Sequence, residues 1–168
     1  MGLLRRGNGG GEVRFQMRAD LLSIGDDYWI EDSAGNKAYR VNGKVARVRD
    51  TWVLEDASGR EVATIRERKL SIRDAIKIEI GGREAVVKKA MVGFRDRFHI
   101  ELDDGTDLKA HGQIGDHEYD IDLEGDKVAE ISKKWFRVRD TYGVEIKGDI
   151  DPALILAITV AIDAFSHD

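Results

Sequence analysis

The chain has 168 residues, a length typical of one domain with a substantial core. It is 42% hydrophobic and 35% charged, which favours a globular protein over a disordered one. Its net charge of −5 argues against a nucleic-acid partner, because neutralising phosphates requires clustered positive charge. The absence of cysteine excludes disulfides and thiolate metal sites, and it fits a cytoplasmic protein.

The N-terminal residues are rich in glycine and lack the apolar core of a signal peptide. We therefore predict a flexible leader over residues 1–12 and a single folded domain over residues 13–168. An alternative for Leu3–Arg6 is a weak arm that touches a membrane surface.

An Arg-Asp phrase recurs along the whole domain. Its clear copies are Val48-Arg49-Asp50, Ile72-Arg73-Asp74, Phe94-Arg95-Asp96 and Val138-Arg139-Asp140. With weaker copies at Asp26 and His117, the anchors are separated by 24, 24, 22, 21 and 23 residues. Apolar residues follow each anchor at every second position, and a glycine comes eight or nine positions after it. Alternation predicts a strand with one buried face, and the glycine predicts a tight turn, so each unit is a β-hairpin.

The number of strands decides the architecture. Five units supply two strands each, the second ones including Glu61–Arg66, Glu84–Lys88 and Lys127–Ser132. Thr141–Ile146 and Val13–Arg18 bring the total to twelve. An open antiparallel sheet of this size would leave exposed edges, whereas closure removes them. We therefore predict a mainly β fold, a closed twelve-stranded antiparallel barrel of six repeated hairpin units.

The sixth unit ends in an apolar helix at about residues 152–166. Asp151 is a suitable N-cap, and Pro152 suits the first helical position. Only Thr159 is polar between Ala153 and Ile162, so the helix must be buried on every side. Its apolar run is well short of the ~20 residues that cross a bilayer. We therefore predict that it fills the barrel, with Asp163 near a mouth.

These features together resemble the LURP-one-related proteins, whose Tubby C-terminal-like fold is shared with phospholipid scramblases. The matching segments are Leu22–Ile30, the Val-Arg-Asp-Thr phrases at 48–51 and 138–141, Lys133–Phe136 and the terminal helix. The resemblance implies a twelve-stranded barrel around the C-terminal helix. It also brings a link to membranes, since Tubby-like relatives bind phosphoinositides, but no general enzymatic activity. The cysteine cluster and proline-rich N-terminus of the scramblases are missing, which speaks against lipid scrambling.

Basic residues that precede hairpin corners form the candidate binding site. They are Arg68, Lys69, Lys88, Lys89, Lys133, Lys134 and Arg137. Because they occupy similar positions in the repeat, we expect them near one end of the barrel, beside Trp135. One interpretation is a patch for anionic head groups with an aromatic rim. The alternative is a set of solvated strand ends that the abundant carboxylates balance.

Other chemistry has weaker support. The repeated aspartates are predicted to accept backbone N–H groups at hairpin corners rather than to catalyse. His99, His111 and His117 could meet across strands, although exposed strand histidines are the simpler alternative, and His167 stands apart. Asp103–Asp107 lacks the terminal Glu of a calcium-binding EF-hand loop and fits a hairpin turn. With no nucleophile elbow or phosphate-binding loop, we predict no enzymatic activity, no metal and no cofactor.

The sequence therefore favours a non-catalytic binding or scaffold domain, cytoplasmic and peripheral at the membrane, that recognises anionic phospholipid head groups. The alternative is a protein–protein interaction adaptor with no lipid ligand. A third hypothesis is an enzyme with a pocket at the barrel mouth, built from groups such as Asp163 and His117. No transmembrane segment is predicted, and the oligomeric state stays open.

Overall fold

A computed structural model describes residues 12–18, 28–43, 51–69, 74–92, 95–136 and 141–166. Within these ranges the chain forms twelve strands and one α-helix. The strands are β1 (Val13–Arg18), β2 (Tyr28–Asp32), β3 (Lys37–Asn42), β4 (Thr51–Asp56), β5 (Glu61–Lys69), β6 (Asp74–Ile80), β7 (Arg83–Val92), β8 (Arg95–Leu102), β9 (Asp107–Gln113), β10 (Glu118–Leu123), β11 (Asp126–Ser132) and β12 (Thr141–Ile146). A 3-10 helix, Ile114–Asp116, connects β9 to β10, and the α-helix α1 is Pro152–Ser166.

The twelve strands close into one antiparallel barrel in sequence order. The first strand closes it, because β1 pairs with β12 from Val13 opposite Ile146 to Arg18 opposite Thr141, and with β2 on its other side. No strand of this sheet therefore keeps an unpaired edge that could recruit another chain. The prediction of a closed twelve-stranded barrel is confirmed.

The hairpin turns combine a glycine with an aspartate that caps the turn. Gly35 and Gly59 have φ angles of +83° and +89°, a conformation that favours glycine. The carboxylate of Asp56 accepts the backbone N–H groups of Ser58 and Arg60 at 2.9 and 3.0 Å. Asp32 holds the first turn in the same way. These short local bonds fix the hairpin register, so core residues alternate correctly along each strand.

The aspartates of the repeated Arg-Asp motif, which were predicted to cap the other hairpin corners, have no described side chains. Asp26, Asp50 and Asp140 lie outside the described residues, as do the side chains of Asp74 and Asp96. At the fifth anchor, the 3-10 helix directly precedes His117. His117 itself has a φ angle of +55°, which turns the chain sharply into β10.

The lumen is filled by α1. The Asp151 carboxylate accepts the N–H of Ala153 at 3.0 Å, so it caps the helix as predicted. Every side chain from Ala153 to Ala164 is buried, and the helix packs against β5, β6, β7 and β12. The predicted enclosed helix is thus confirmed, whereas the division into leader and domain stays a prediction. Among the described residues, no helix has both the length and the hydropathy required to cross a bilayer.

Candidate functional site

Two lysine pairs of the predicted patch lie in the described part of the barrel. Lys88 and Lys89 are within β7, several residues before its end, while Lys133 and Lys134 follow β11. Three strands lie between these pairs. Because neighbouring strands are about 4.8 Å apart, the pairs are separated by roughly 19 Å along the wall.

Other members of the predicted patch are outside the described part of the chain. Arg68 and Lys69 end β5, but their side chains are not among the described groups, and Arg137 lies in an undescribed segment. Lys88 and Lys89 point to opposite faces of the sheet, since Lys89 stands opposite the core residue Phe98. The continuous patch of seven basic residues therefore stays a prediction.

The charge of Lys134 is compensated by the protein itself. Its Nζ lies 2.6 Å from a carboxylate oxygen of Glu130 and 4.9 Å from the centre of the Trp135 ring. The hydrogen bond to Glu130 raises the pKa of Lys134, and the same bond lowers the pKa of Glu130. Arg14 also covers the Trp135 ring, at 4.5 Å, and pairs with Glu145. Lys134 therefore offers an external anion little unbalanced positive charge.

A stronger concentration of basic groups lies on the outer wall. A pocket of about 290 Å³, here called the β8–β9 pocket, is lined by Arg97, Phe98, His99, Lys109, Ala110, His111 and Asp122. Register explains the convergence: Arg97 stands opposite His111 and His99 opposite Lys109. Phe98 and Ala110 are core residues, so their neighbours along each strand point outward.

The permanent cations of this pocket have no ion-pair partner among the residues that the structure describes. Within the described ranges, no carboxylate lies within 4.0 Å of the Arg97 guanidinium or the Lys109 ammonium. The pocket's one carboxylate, Asp122, is engaged by His111, whose Nε2 lies 2.6 Å from Asp122 Oδ2. Lys88 adjoins the pocket opposite His99 and lies 3.7 Å from Glu101. The pocket therefore presents two unpaired cations and two imidazoles on a chain whose net charge is −5.

A second polar cluster is buried where α1 ends. The Asp163 carboxylate accepts a hydrogen bond from the Tyr142 hydroxyl and lies 3.3 Å from Nε2 of His117. The His117 ring stacks on Tyr142 with 4.3 Å between ring centres. Burial, and then the charge of Asp163, raise the pKa of the Tyr119 hydroxyl well above its usual value. Asp163 and His117 thus meet, as the enzyme hypothesis required.

This cluster is buried rather than open to solvent. The Asp163 side chain is only 4% exposed and that of His117 only 12%. Neither side chain lines the β8–β9 pocket. Since a substrate must touch its catalytic groups, we interpret the cluster as the anchor that fixes the end of α1 to the barrel. In the described part of the chain, no three His, Asp or Glu side chains converge to hold a metal ion.

Comparison with known proteins identifies the family. The family model of LURP-one-related proteins matches residues 13–163, which is nearly the whole chain. The chain belongs to the LURP-one-related family. A protein of Arabidopsis thaliana with an X-ray structure matches with a TM-score of 0.62 and 18% identity, covering 92% of this chain and 91% of that chain. At this identity the likeness shows the fold alone. No curated protein matches significantly.

Sequence reasoning did not find the pocket of this LURP-one-related protein. Its basic groups come from β8 and β9, and Arg97 and His111 are neighbours only because the hairpin register places them opposite each other. The available signal was alternation: Arg97 and His99 flank Phe98, and Lys109 and His111 flank Ala110. Alternation along each strand therefore shows that these side chains share the outer face. It does not show which side chains of β8 and β9 lie next to each other.

Proposed function

We propose that this LURP-one-related protein is a non-catalytic binding module that recognises the phosphate of an anionic phospholipid head group through the β8–β9 pocket. The observation that carries the proposal is the pair of cations, Arg97 and Lys109, without a carboxylate partner in the described structure. A guanidinium binds two phosphate oxygens in parallel, and an ammonium adds a point charge with three donors. We further propose that the protein is cytoplasmic and binds the membrane peripherally.

What distinguishes this pocket is that two cations without a described ion-pair partner lie together, whereas many other cations of the described wall are held by carboxylates. Arg14 pairs with Glu145 and Arg40 with Glu55 across neighbouring strands. Lys77 is held by Glu84 at 2.7 Å. An ion pair must be broken or shared before such a cation binds an external phosphate, whereas Arg97 and Lys109 bind without that cost.

The filled lumen supports an external site. The side chains of α1 occupy the inside of the barrel and are almost completely buried, so the ligand must bind on the wall or at a mouth. Neither the family nor the barrel fold is known for an enzymatic activity. Tubby-like proteins, which the sequence resembles, bind phosphoinositides, and this agrees with a wall that recognises phosphate.

Flotation with lipid vesicles tests the proposal. Vesicles of phosphatidylcholine with and without phosphatidylglycerol are compared at low salt, with wild-type protein and the variant Arg97→Ala/Lys109→Ala. We expect binding to the anionic vesicles only, and a loss of about tenfold or more in the variant, since each basic residue near a surface contributes about 1 kcal/mol. Arg66→Ala is the matched control because Arg66 is exposed on β5, three strands away from β8.

The outcomes separate the hypotheses. Equal losses in the pocket variant and in Arg66→Ala would show that attraction is diffuse rather than centred on the pocket. Loss in Lys133→Ala/Lys134→Ala alone would favour the predicted corner instead. If wild-type protein does not bind anionic vesicles at low salt, the proposal is refuted and the protein-interaction adaptor becomes the better hypothesis. Displacement by inorganic phosphate at constant ionic strength would identify a phosphate site rather than attraction to the surface.

A further inference from the structure

A groove of about 680 Å³, here called the mouth groove, opens at the end of the barrel where α1 begins. Its floor is apolar, since Val13, Phe15 and Tyr39 line it. The rings of Phe15 and Tyr39 meet edge to face, with 5.9 Å between their centres. Val13 and Tyr39 pack on the core but are only partly buried. The mouth groove therefore leaves apolar surface accessible for another segment to cover.

The rim of the mouth groove is negatively charged. The carboxylates of Asp32, Asp56 and Asp151 line it, and no basic residue is among the described residues that do so. These carboxylates accept hydrogen bonds from neutral backbone N–H groups, which leave the negative charge in place. Arg60 lies 3.9 Å from Asp56 but is 82% exposed. The partial charge of about +0.5 at the start of α1 is smaller than that of the three carboxylates, so the groove favours a cationic occupant.

The chain enters the barrel beside this groove. Residues 1–11 lie outside the described residues, and the described chain begins at Glu12, directly before Val13. The undescribed segments between strands, by contrast, connect strand ends at the opposite mouth, where α1 ends. Residues 1–11 are therefore the undescribed part of the chain that joins the barrel at the mouth groove.

The sequence of this segment complements the groove. Leu3 and Leu4 match the apolar floor, and Arg5 and Arg6 match the carboxylates of the rim, to which a guanidinium can donate two parallel hydrogen bonds. Four of the six residues between Arg6 and Val13 are glycine, and a glycine-rich chain of that length spans about 13 Å. A tether this short gives an effective concentration in the millimolar range, so weak contacts suffice for docking.

We propose that Leu3–Arg6 docks into the mouth groove of its own chain, with the leucines on Phe15 and Tyr39 and the arginines at the carboxylates of the rim. Docking withdraws both leucines from solvent and covers the apolar surface at this end of the barrel. It does not depend on lipid binding by the β8–β9 pocket, whose strands lie on another part of the wall. An arm that inserts into a membrane surface is the competing use of the same four residues.

Paramagnetic broadening of NMR signals tests the docking. The chain has no cysteine, so Gly2→Cys provides a single site for a nitroxide label on the whole chain. We expect strong broadening of the amide signals of Ala38 and Ala57, which line the groove, and far weaker broadening at Glu118, at the opposite mouth. A tether that does not dock also visits the groove, so the labelled Leu3→Ser/Leu4→Ser variant supplies the reference.

Substitutions on both sides of the contact give the expected sizes. Loss of both leucines should lower the docking constant about 30-fold, which corresponds to about 2 kcal/mol, because it removes the apolar burial. Asp32→Asn/Asp56→Asn should lower it about fivefold, since asparagine removes the charge but keeps an oxygen for the turn N–H groups. Asp104→Asn is the matched control. Asp104 also accepts a turn N–H but does not line the groove, so this variant should broaden the groove signals as wild type does.

Two results would overturn the docking. Equal broadening in the wild type and in Leu3→Ser/Leu4→Ser would show that the segment visits the groove only as a free tether. Weak broadening in the wild type, together with a loss of affinity for phosphatidylglycerol vesicles in the same leucine variant, would identify a membrane arm instead. Neither result bears on Arg97 and Lys109, whose own variant tests the lipid-binding proposal separately.

Discussion

Substitution of Gly112 by alanine should destabilise the barrel strongly. Gly112 lies in β9 opposite Tyr119 and has a φ angle of +140°, a conformation that side-chain-bearing residues rarely adopt. An added Cβ would lie 2.7 Å from the carbonyl oxygen of Glu118 and 2.8 Å from Cα of Tyr119. Both are backbone atoms of β10, so no side-chain rotation relieves the contact. Backbone strain and overpacking each cost about 1–3 kcal/mol, which together give a loss of about 2–6 kcal/mol.

Gly105→Ala separates the two causes. Gly105 also has a positive φ, of +87°, but nothing lies within 4 Å of the position that its Cβ would occupy. Gly105→Ala should therefore lower the free energy of unfolding by only about 1–2 kcal/mol, from backbone strain alone. Urea unfolding followed by tryptophan fluorescence gives both free energies of unfolding, provided that the slope with denaturant is unchanged. Equal losses in the two variants would refute the close approach of β9 and β10 at Gly112.

Two further substitutions test a turn cap and the end of the helix. The Ser58 hydroxyl, followed by backbone N–H groups, lowers the pKa of Asp56 below 3.8, so this carboxylate stabilises the fold above that pH and its contribution is lost as the pH falls through the lowered pKa. Asp56→Asn should therefore make the urea midpoint of unfolding depend less on pH below about pH 4 than it does in the wild type. If the midpoint of the variant falls with pH as steeply as that of the wild type, Asp56 is not the source of the dependence. Asp163→Ala removes the carboxylate that accepts the hydrogen bond of the Tyr142 hydroxyl and lies beside Nε2 of His117, and it should cost about 2–4 kcal/mol. Thermal or urea unfolding measures the loss, and an unchanged stability would show that the cluster does not anchor α1.

The architecture could be predicted because it depends on local patterns. Alternation and turn glycines recur in every unit, and they placed β1 and β12 with the bounds that the structure has. The boundary of β7 was less predictable. The strand runs from Arg83 to Val92 rather than from Glu84 to Lys88, because the cross-strand pairing with β8 continues after Lys88 where the polar alternation stops. Pairing energy from a neighbouring strand is not visible in a local pattern.

The candidate site could not be predicted in the same way. Arg97 and His111 are joined by register, and register depends on the turn that connects β8 to β9 and on the length of both strands. The short bond between His111 and Asp122 is a diagonal contact between β9 and β10, which no spacing along the chain specifies. The buried anchor was partly visible, since Asp163 was expected near a mouth, but its partner Tyr142 lies on β12 and had no polar signal of its own.

Comparison of the repeated hairpin units supports the proposal that Arg97 and Lys109 bind a ligand. The described inward positions of the strands form the buried core around α1, so outward positions are freer to vary between the units. On this acidic chain most described outward cations pair with a carboxylate. Arg14 of β1 pairs with Glu145 of β12, and Arg40 of β3 pairs with Glu55 of β4. Placing Arg97 and Lys109 together, with no described carboxylate within 4.0 Å of either charge, costs stability through repulsion, and packing gains nothing from it. A phosphate bound at the proposed site would offset this repulsion, because it supplies negative charge between the two cations.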